Sequence, residues 1–158
     1  MRNFIMLSVI GMAANLSSAH PETPLEAACT IGSIIAAGSP CETSAVLGLT
    51  KQIAGELTSM GIAFAHLNGE KYITCTGGCT GYMQKSALDS LNAITTKEMR
   101  TIGLSSAWRS AAQQYLLFEW KANGKCGQTN PVGTPGTSNH EGGIAIDVPS
   151  YSSWITVL

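Results

Sequence analysis

Ser138-Asn139-His140-Glu141-Gly142-Gly143-Ile144-Ala145-Ile146-Asp147 constrains this chain more than any other stretch. It sets an imidazole in a glycine-flanked loop and a carboxylate seven positions further on, at the end of a short apolar run. Ile144 and Ile146 alternate with Ala145 and Asp147, which predicts a strand that buries the isoleucines and turns the carboxylate back toward the histidine. Both are zinc-ligand types, so His140 and Asp147 are candidate metal ligands. Gly142 and Gly143 allow the backbone to pass close to a neighbour there.

Such a loop and strand need a folded body around them, and the composition supplies one. At 158 residues, with 44% hydrophobic and 12% charged residues, the chain can bury a core, which argues against disorder or a coiled coil. A net charge of -1 gives no electrostatic case for nucleic acid or an anionic membrane as partner. Residues 1–19 read as a secretory signal: Arg2 is the positive start, an apolar run follows, and Ser17-Ser18-Ala19 is a small-residue cleavage site. The apolar run is too short to span a membrane, so the expectation is a secreted protein with no membrane contact in its mature form. Five cysteines follow, Cys29, Cys41, Cys75, Cys79 and Cys126, and an oxidising compartment favours disulfides for them. The expected pairs are Cys29 with Cys41 and Cys75 with Cys79, leaving Cys126 over.

Taken in order, residues 20–60 form an N-terminal extension, its first part either a short disulfide-held helix or a loose segment. A helix is predicted over 42–60, with Val46, Leu47, Leu49, Ile53, Leu57 and Met60 on its apolar stripe. Residues 62–74 alternate around Asn68-Gly69 and predict a hairpin of two strands. His66, just before that turn, is read as an exposed strand histidine, with a third-ligand role as the alternative. A helix follows over 84–99 with Leu88, Leu91, Ile94 and Met99 buried, then a strand over 102–107 and a helix over 111–122. Arg109 thus falls where strand passes into helix, with Gln113 one helical turn on. Trp108, Trp120 and Trp154 are read as core aromatics. Residues 125–137 form a loop, and 150–158 begin another helix with Tyr151, Trp154, Ile155 and Leu158 at core spacing.

These residues resemble a known family. Ser138-x-His140-x-x-Gly143-x-Ala145-x-Asp147, preceded by Ser106-Ala107-Trp108-Arg109-Ser110 and Gln113, is similar to the zinc D-alanyl-D-alanine carboxypeptidases, the VanY-like group that shares its fold with the Hedgehog signalling domain. The likeness runs from about residue 82 to 158. The fold it implies is α+β, a small antiparallel sheet with packed helices, over a domain spanning 61–158.

The resemblance also implies roles. His140 and Asp147 would ligate Zn2+, Arg109 would bind the free C-terminal carboxylate of a peptide, and Gln113 and Ser138 would line the substrate site. A guanidinium fork suits a carboxylate, and zinc polarises a carbonyl and acidifies its water. The implied activity is hydrolysis at the C-terminal end of D-Ala-D-Ala cell-wall peptides, with a peptidoglycan stem peptide as partner. A peptidase of this kind needs a third ligand and a general base as well. Only eleven residues follow Asp147, and none is His, Asp or Glu. The expectation is therefore a domain truncated at its C-terminus. The alternatives are a substitute ligand, His66 or His20, and a scaffold that has lost catalysis and acts as a binding module. Glu141 is read as bonding backbone or solvent rather than as the base.

Overall fold

A computed structural model describes residues 30–38 and 41–158 of the chain. The expected signal at 1–19, His20 and Cys29 lie outside the described residues.

The N-terminal part is helical. α1 (Ile31–Ala37) starts at Thr30, whose side chain accepts from the Ser33 amide at 3.1 Å, and it ends on Gly38 in the left-handed region. A 3-10 turn (Thr43–Val46) leads into α2 (Leu47–Ser59), the helix expected over 42–60. Its inward face differs from the expected stripe. Val46, Thr50 and Ala54 are buried, whereas Leu49 and Met60 stand 41% and 77% exposed. The reason is close approach: the Thr50 hydroxyl bonds the Ser110 hydroxyl at 2.8 Å, a distance that only short side chains permit between two helices.

The expected hairpin does not form, although both of its strands do. β1 (Phe64–His66) pairs antiparallel with β3 (Tyr82–Gln84), and β2 (Ile73–Cys75) pairs parallel with β4 (Ile102–Leu104). β3 escapes a sequence reading because three residues run straight into α3 (Lys85–Glu98), too short a run for alternation to register. The stretch from β3 through α3 provides the long crossover that a parallel pair requires. α3 buries Leu88, Leu91 and Thr95. Met99, expected inside, is 76% exposed, since it caps the helix in a left-handed conformation and is turned outward. These elements enclose a core of Leu67, Ile73, Met83, Leu88, Leu91, Ile102, Leu104, Ala107 and Trp154. The fold is thus α+β, with four α-helices among the described residues packed on short strand pairs.

α4 (Ala111–Ala122) forms where expected. Ser110 and Gln113 close a capping box at its start, and Leu116 and Trp120 are fully buried. Leu116, Trp120 and Val46 form a second cluster that also gathers Ile31, Ile34 and Ile35 of α1. Beyond α4 the cysteine pairing departs from expectation. Cys41 is bonded to Cys126, while Cys75 is bonded to Cys79 as expected. The Cys41 partnership spans 85 positions, and it forms because Lys125 reaches back to the end of α1, its ammonium donating to the Ile35 and Ala36 carbonyls at 3.2 and 2.6 Å.

Two C-terminal expectations are also revised. No regular strand forms over 144–147; a single antiparallel bridge joins Asp147 to Ser106, and Ile144 is 56% exposed while Ile146 packs on the core. The Gly143 carbonyl is taken by the Gln84 amide at 3.0 Å and the Ile144 amide turns back to Asn139, so pairing resumes only at Asp147. After Pro149 the chain forms a 3-10 turn (Tyr151–Ser153) rather than an α-helix. Its three-residue period places Trp154 inside, under the Arg100 guanidinium at 4.4 Å, and leaves Tyr151, Ile155 and Leu158 exposed. Among the described residues no helix is long and apolar enough to cross a membrane.

Candidate functional site

The backbone of residues 105–109 is the template on which the motif residues meet. The Asp147 amide donates to the Ser106 carbonyl at 2.9 Å, and the Ser105 amide donates to the Asp147 carbonyl at 2.9 Å. Three residues beyond Ser106, the Arg109 amide donates to the His140 carbonyl at 3.1 Å. The His140 ring completes the arrangement, its Nδ1 lying 2.7 Å from the Ala107 carbonyl. A carbonyl can only accept, so Nδ1 carries the proton, and in the neutral ring Nε2 presents its lone pair. That Nε2 lies 3.5 Å from Oδ1 of Asp147. His140 and Asp147 therefore converge, as their spacing suggested.

Arg109 joins them. Its Nε donates to the Ser106 hydroxyl at 2.9 Å, and its Nη2 makes an ion pair with Oδ2 of Asp147. The side chain is only 18% exposed. Burial lowers the guanidinium pKa, partly offset by Asp147, yet an arginine remains charged throughout the working range. The Asp147 carboxyl is held below the usual carboxylate range, first by the hydrogen bond that His140 donates when Nε2 also carries a proton and then by the charge of Arg109, against the opposing effect of partial burial.

The three residues open onto one cavity of about 530 Å³. Ser138 lines it too, and its hydroxyl accepts from the His140 amide at 3.3 Å. The far wall is Leu117 of α4 and the loop 128–133. Among the described residues, His140 and Asp147 are the only His, Cys, Asp or Glu side chains in this lining. Among the described residues no group of three or more such side chains could hold a metal ion.

Other candidates fall elsewhere. Gln113 is fully buried: its carbonyl accepts from the Ser110 amide and its amide donates to Thr43 at 3.2 Å, so it caps α4 and does not line the cavity. Its neighbour Gln114 does, donating to the Gly133 carbonyl at 2.8 Å and so holding the loop wall. One position along the same helix separates a cap from a wall, and helical spacing alone does not choose between them. His66 accepts from the Asn68 amide at 3.0 Å and packs edge-on against Tyr82, away from the cavity lining. The Glu141 carboxylate accepts from the backbone amides of Gly136 and Ser138, bracing the loop, which agrees with its reading as bonding backbone. Trp108 is core, packed on Phe64 and Tyr82, with its indole N–H donating to the Glu141 carbonyl at 3.0 Å. Ser106 took its place in the motif without a role of its own, and the structure gives it one as the acceptor that orients Arg109.

The α+β domain thus brings an imidazole, a carboxylate and a guanidinium together in one polar cavity. The family model of VanY, D-alanyl-D-alanine carboxypeptidase, matches residues 82–156, just under half of the chain, and supports a VanY-like assignment for that segment. The matched residues contain Arg109, Ser138, His140 and Asp147. No curated protein and no solved structure gives a significant match to the chain.

Proposed function

We propose that the chain is a secreted, zinc-dependent carboxypeptidase that removes the C-terminal residue of D-Ala-D-Ala cell-wall peptides. The observation that carries the reading is the convergence of Arg109, His140 and Asp147 on one cavity inside the VanY-matched segment. Two disulfides fit an oxidising, extracellular compartment.

The donor set is tested by its spacing. With Nδ1 protonated toward Ala107, the Nε2 lone pair of His140 and the Asp147 carboxylate face each other across 3.5 Å, two acceptors that need a cation or a proton between them. Ligand atoms about 2.1 Å from a tetrahedral zinc lie roughly 3.4 Å apart, so the spacing of the two donors suits the metal, although among the described residues no third donor joins them. The Ala107 carbonyl on the far ring nitrogen is the outer partner that orients a metal-bound histidine. His140 and Asp147 would hold the zinc, which when bound polarises a carbonyl and lowers the pKa of its water.

Arg109 binds the substrate terminus. Its Nε and one Nη2 proton are used by Ser106 and Asp147, and no described residue takes its remaining N–H groups. The Nη1–Nη2 edge can therefore grip a carboxylate end-on with two parallel bonds, which selects free chain ends. Leu117 and residues of the 128–133 loop line the same cavity. A third metal ligand and a base to take the proton of the attacking water are not assigned among the described residues.

That gap favours a second reading, a binding module that holds a carboxylate-ended peptide in the same cavity without cutting it. One assay separates the two. The full chain with added zinc is offered an N-acetylated peptide ending in D-Ala-D-Ala and its C-terminal amide, with release of D-alanine from the first and of D-alanine amide from the second measured. Release from the free acid alone supports the carboxypeptidase. Calorimetric binding of the acid without release supports the module, and equal treatment of acid and amide removes the role given to Arg109.

A further inference from the structure

The far wall of the cavity, the loop 128–133, is held at both ends by α4. Lys121 donates to the Gln128 and Thr129 carbonyls at 2.8 and 3.1 Å, and Gln114, only 1% exposed, donates to the Gly133 carbonyl at 2.8 Å. Between these anchors Gln128 and Asn130 line the cavity. Their side-chain amides have no partner among the described residues. The charges in the lining are gathered at the other end, where Arg109 is paired with Asp147 beside His140, and every other lining residue is uncharged.

A primary amide carries a donor and an acceptor side by side, which complements the C=O and N–H of a peptide group. It has no charge to match, so it suits a neutral backbone better than an ionised side chain. The cavity, about 530 Å³, falls among pockets that enclose drug-sized ligands and has room for more than two small residues.

We propose that Gln128 and Asn130 are specificity residues whose side-chain amides bond a backbone peptide group of the ligand, upstream of the terminus that Arg109 grips. The contact rests on the role given above to Arg109, and it needs no metal. The cavity then offers a charged contact for the chain end and a neutral one for the backbone, and only a peptide long enough to reach both uses both. Because Lys121 and Gln114 fix the loop, its backbone has little freedom left to lose on binding.

The test is calorimetric binding to the full chain without added zinc. The probes are N-acetyl-D-Ala-D-Ala, N-acetyl-Gly-D-Ala-D-Ala, which adds one peptide group and no side chain, and acetoxyacetyl-D-Ala-D-Ala, in which an ester oxygen replaces the glycine N–H. Wild type is expected to bind the glycine-extended peptide about tenfold more tightly than the shorter one, and the ester about threefold less tightly than the glycine-extended peptide. In the double variant Gln128→Ala, Asn130→Ala the advantage of the longer peptide should shrink to no more than about twofold.

An undiminished advantage in the double variant would overturn the backbone contact. So would an ester that binds as tightly as the amide it replaces, or a wild type that binds the short and extended peptides equally. Each of these leaves the role of Arg109 standing. If no probe binds, or if the C-terminal amide of the glycine-extended peptide binds as tightly as the acid, the role of Arg109 falls and the backbone contact falls with it.

Discussion

Arg109 is held on one edge and open on the other, so its loss should be felt by ligands more than by the fold. If Arg109 grips a terminal carboxylate as proposed, Arg109→Ala removes those charge-assisted hydrogen bonds, and affinity for the free acid of an acetylated D-Ala-D-Ala peptide is expected to fall about 10- to 100-fold, measured by calorimetry. Stability should change by less than about 1 kcal/mol, because Asp147 is 48% exposed and regains water when its partner goes. The two motif glycines, adjacent in sequence, make opposite predictions. Gly143 has φ +71°, and a Cβ there would sit 2.9 Å from the Gln84 amide nitrogen and 2.9 Å from a Phe64 ring carbon. Gly143→Ala should cost about 2–4 kcal/mol by urea denaturation, through strain and a clash with backbone that cannot yield. At Gly142 the nearest atom is the Asn139 carbonyl oxygen at 3.5 Å, so Gly142→Ala should stay within about 0.5 kcal/mol of wild type.

At the level of elements, α4 divides its polar residues between two jobs. Gln113 secures the helix start and ties it to Thr43, and Gln114 holds the wall of the cavity through Gly133. Gln113→Ala is therefore expected to lower stability by about 1–3 kcal/mol, since it breaks the capping box and leaves buried partners unpaired. Affinity for the carboxylate ligand should remain within about twofold of wild type, because Gln113 does not line the cavity. A drop in affinity comparable to that of Arg109→Ala would return Gln113 to the substrate site. Strand pairing shows the same division between local and distant control. β1 and β2 were visible as short alternating runs, but each takes its partner from a later stretch, since the residues between them turn away and Leu67 bonds Gly81 instead.

For the whole molecule, the two disulfides differ most in the length of chain they close. Cys41–Cys126 spans 85 positions and fastens the N-terminal helices to the segment leading into the cavity's loop wall, whereas Cys75–Cys79 spans four. On chain entropy the long bridge is worth about 4–5 kcal/mol and the short one about 2. Cys126→Ser should therefore lower the denaturation midpoint roughly twice as far as Cys79→Ser, measured under non-reducing conditions. Equal shifts would mean that the helical cluster of Val46, Leu116 and Trp120 holds the N-terminal part in place without the bridge.

By itself the sequence determined what short-range chemistry sets: the helices over α2, α3 and α4 from their periodicity, the Cys75–Cys79 loop, and the motif residues Arg109, His140 and Asp147. Each of these depends on neighbours within a few positions, or on residue types fixed by the reaction they would serve. Tertiary structure decided the rest. It chose the strand partners, joined Cys41 to Cys126, buried Thr50 and Ala54 in place of Leu49 and Met60, and sent Gln113 inward and Gln114 to the cavity. It also paired Arg109 with Asp147, a contact between residues 38 apart in the chain. The physical reason is common to all of these. Which groups meet depends on how closely helices and loops pack and on where the backbone hydrogen bonds of residues 105–109 are spent, and neither is written in local spacing.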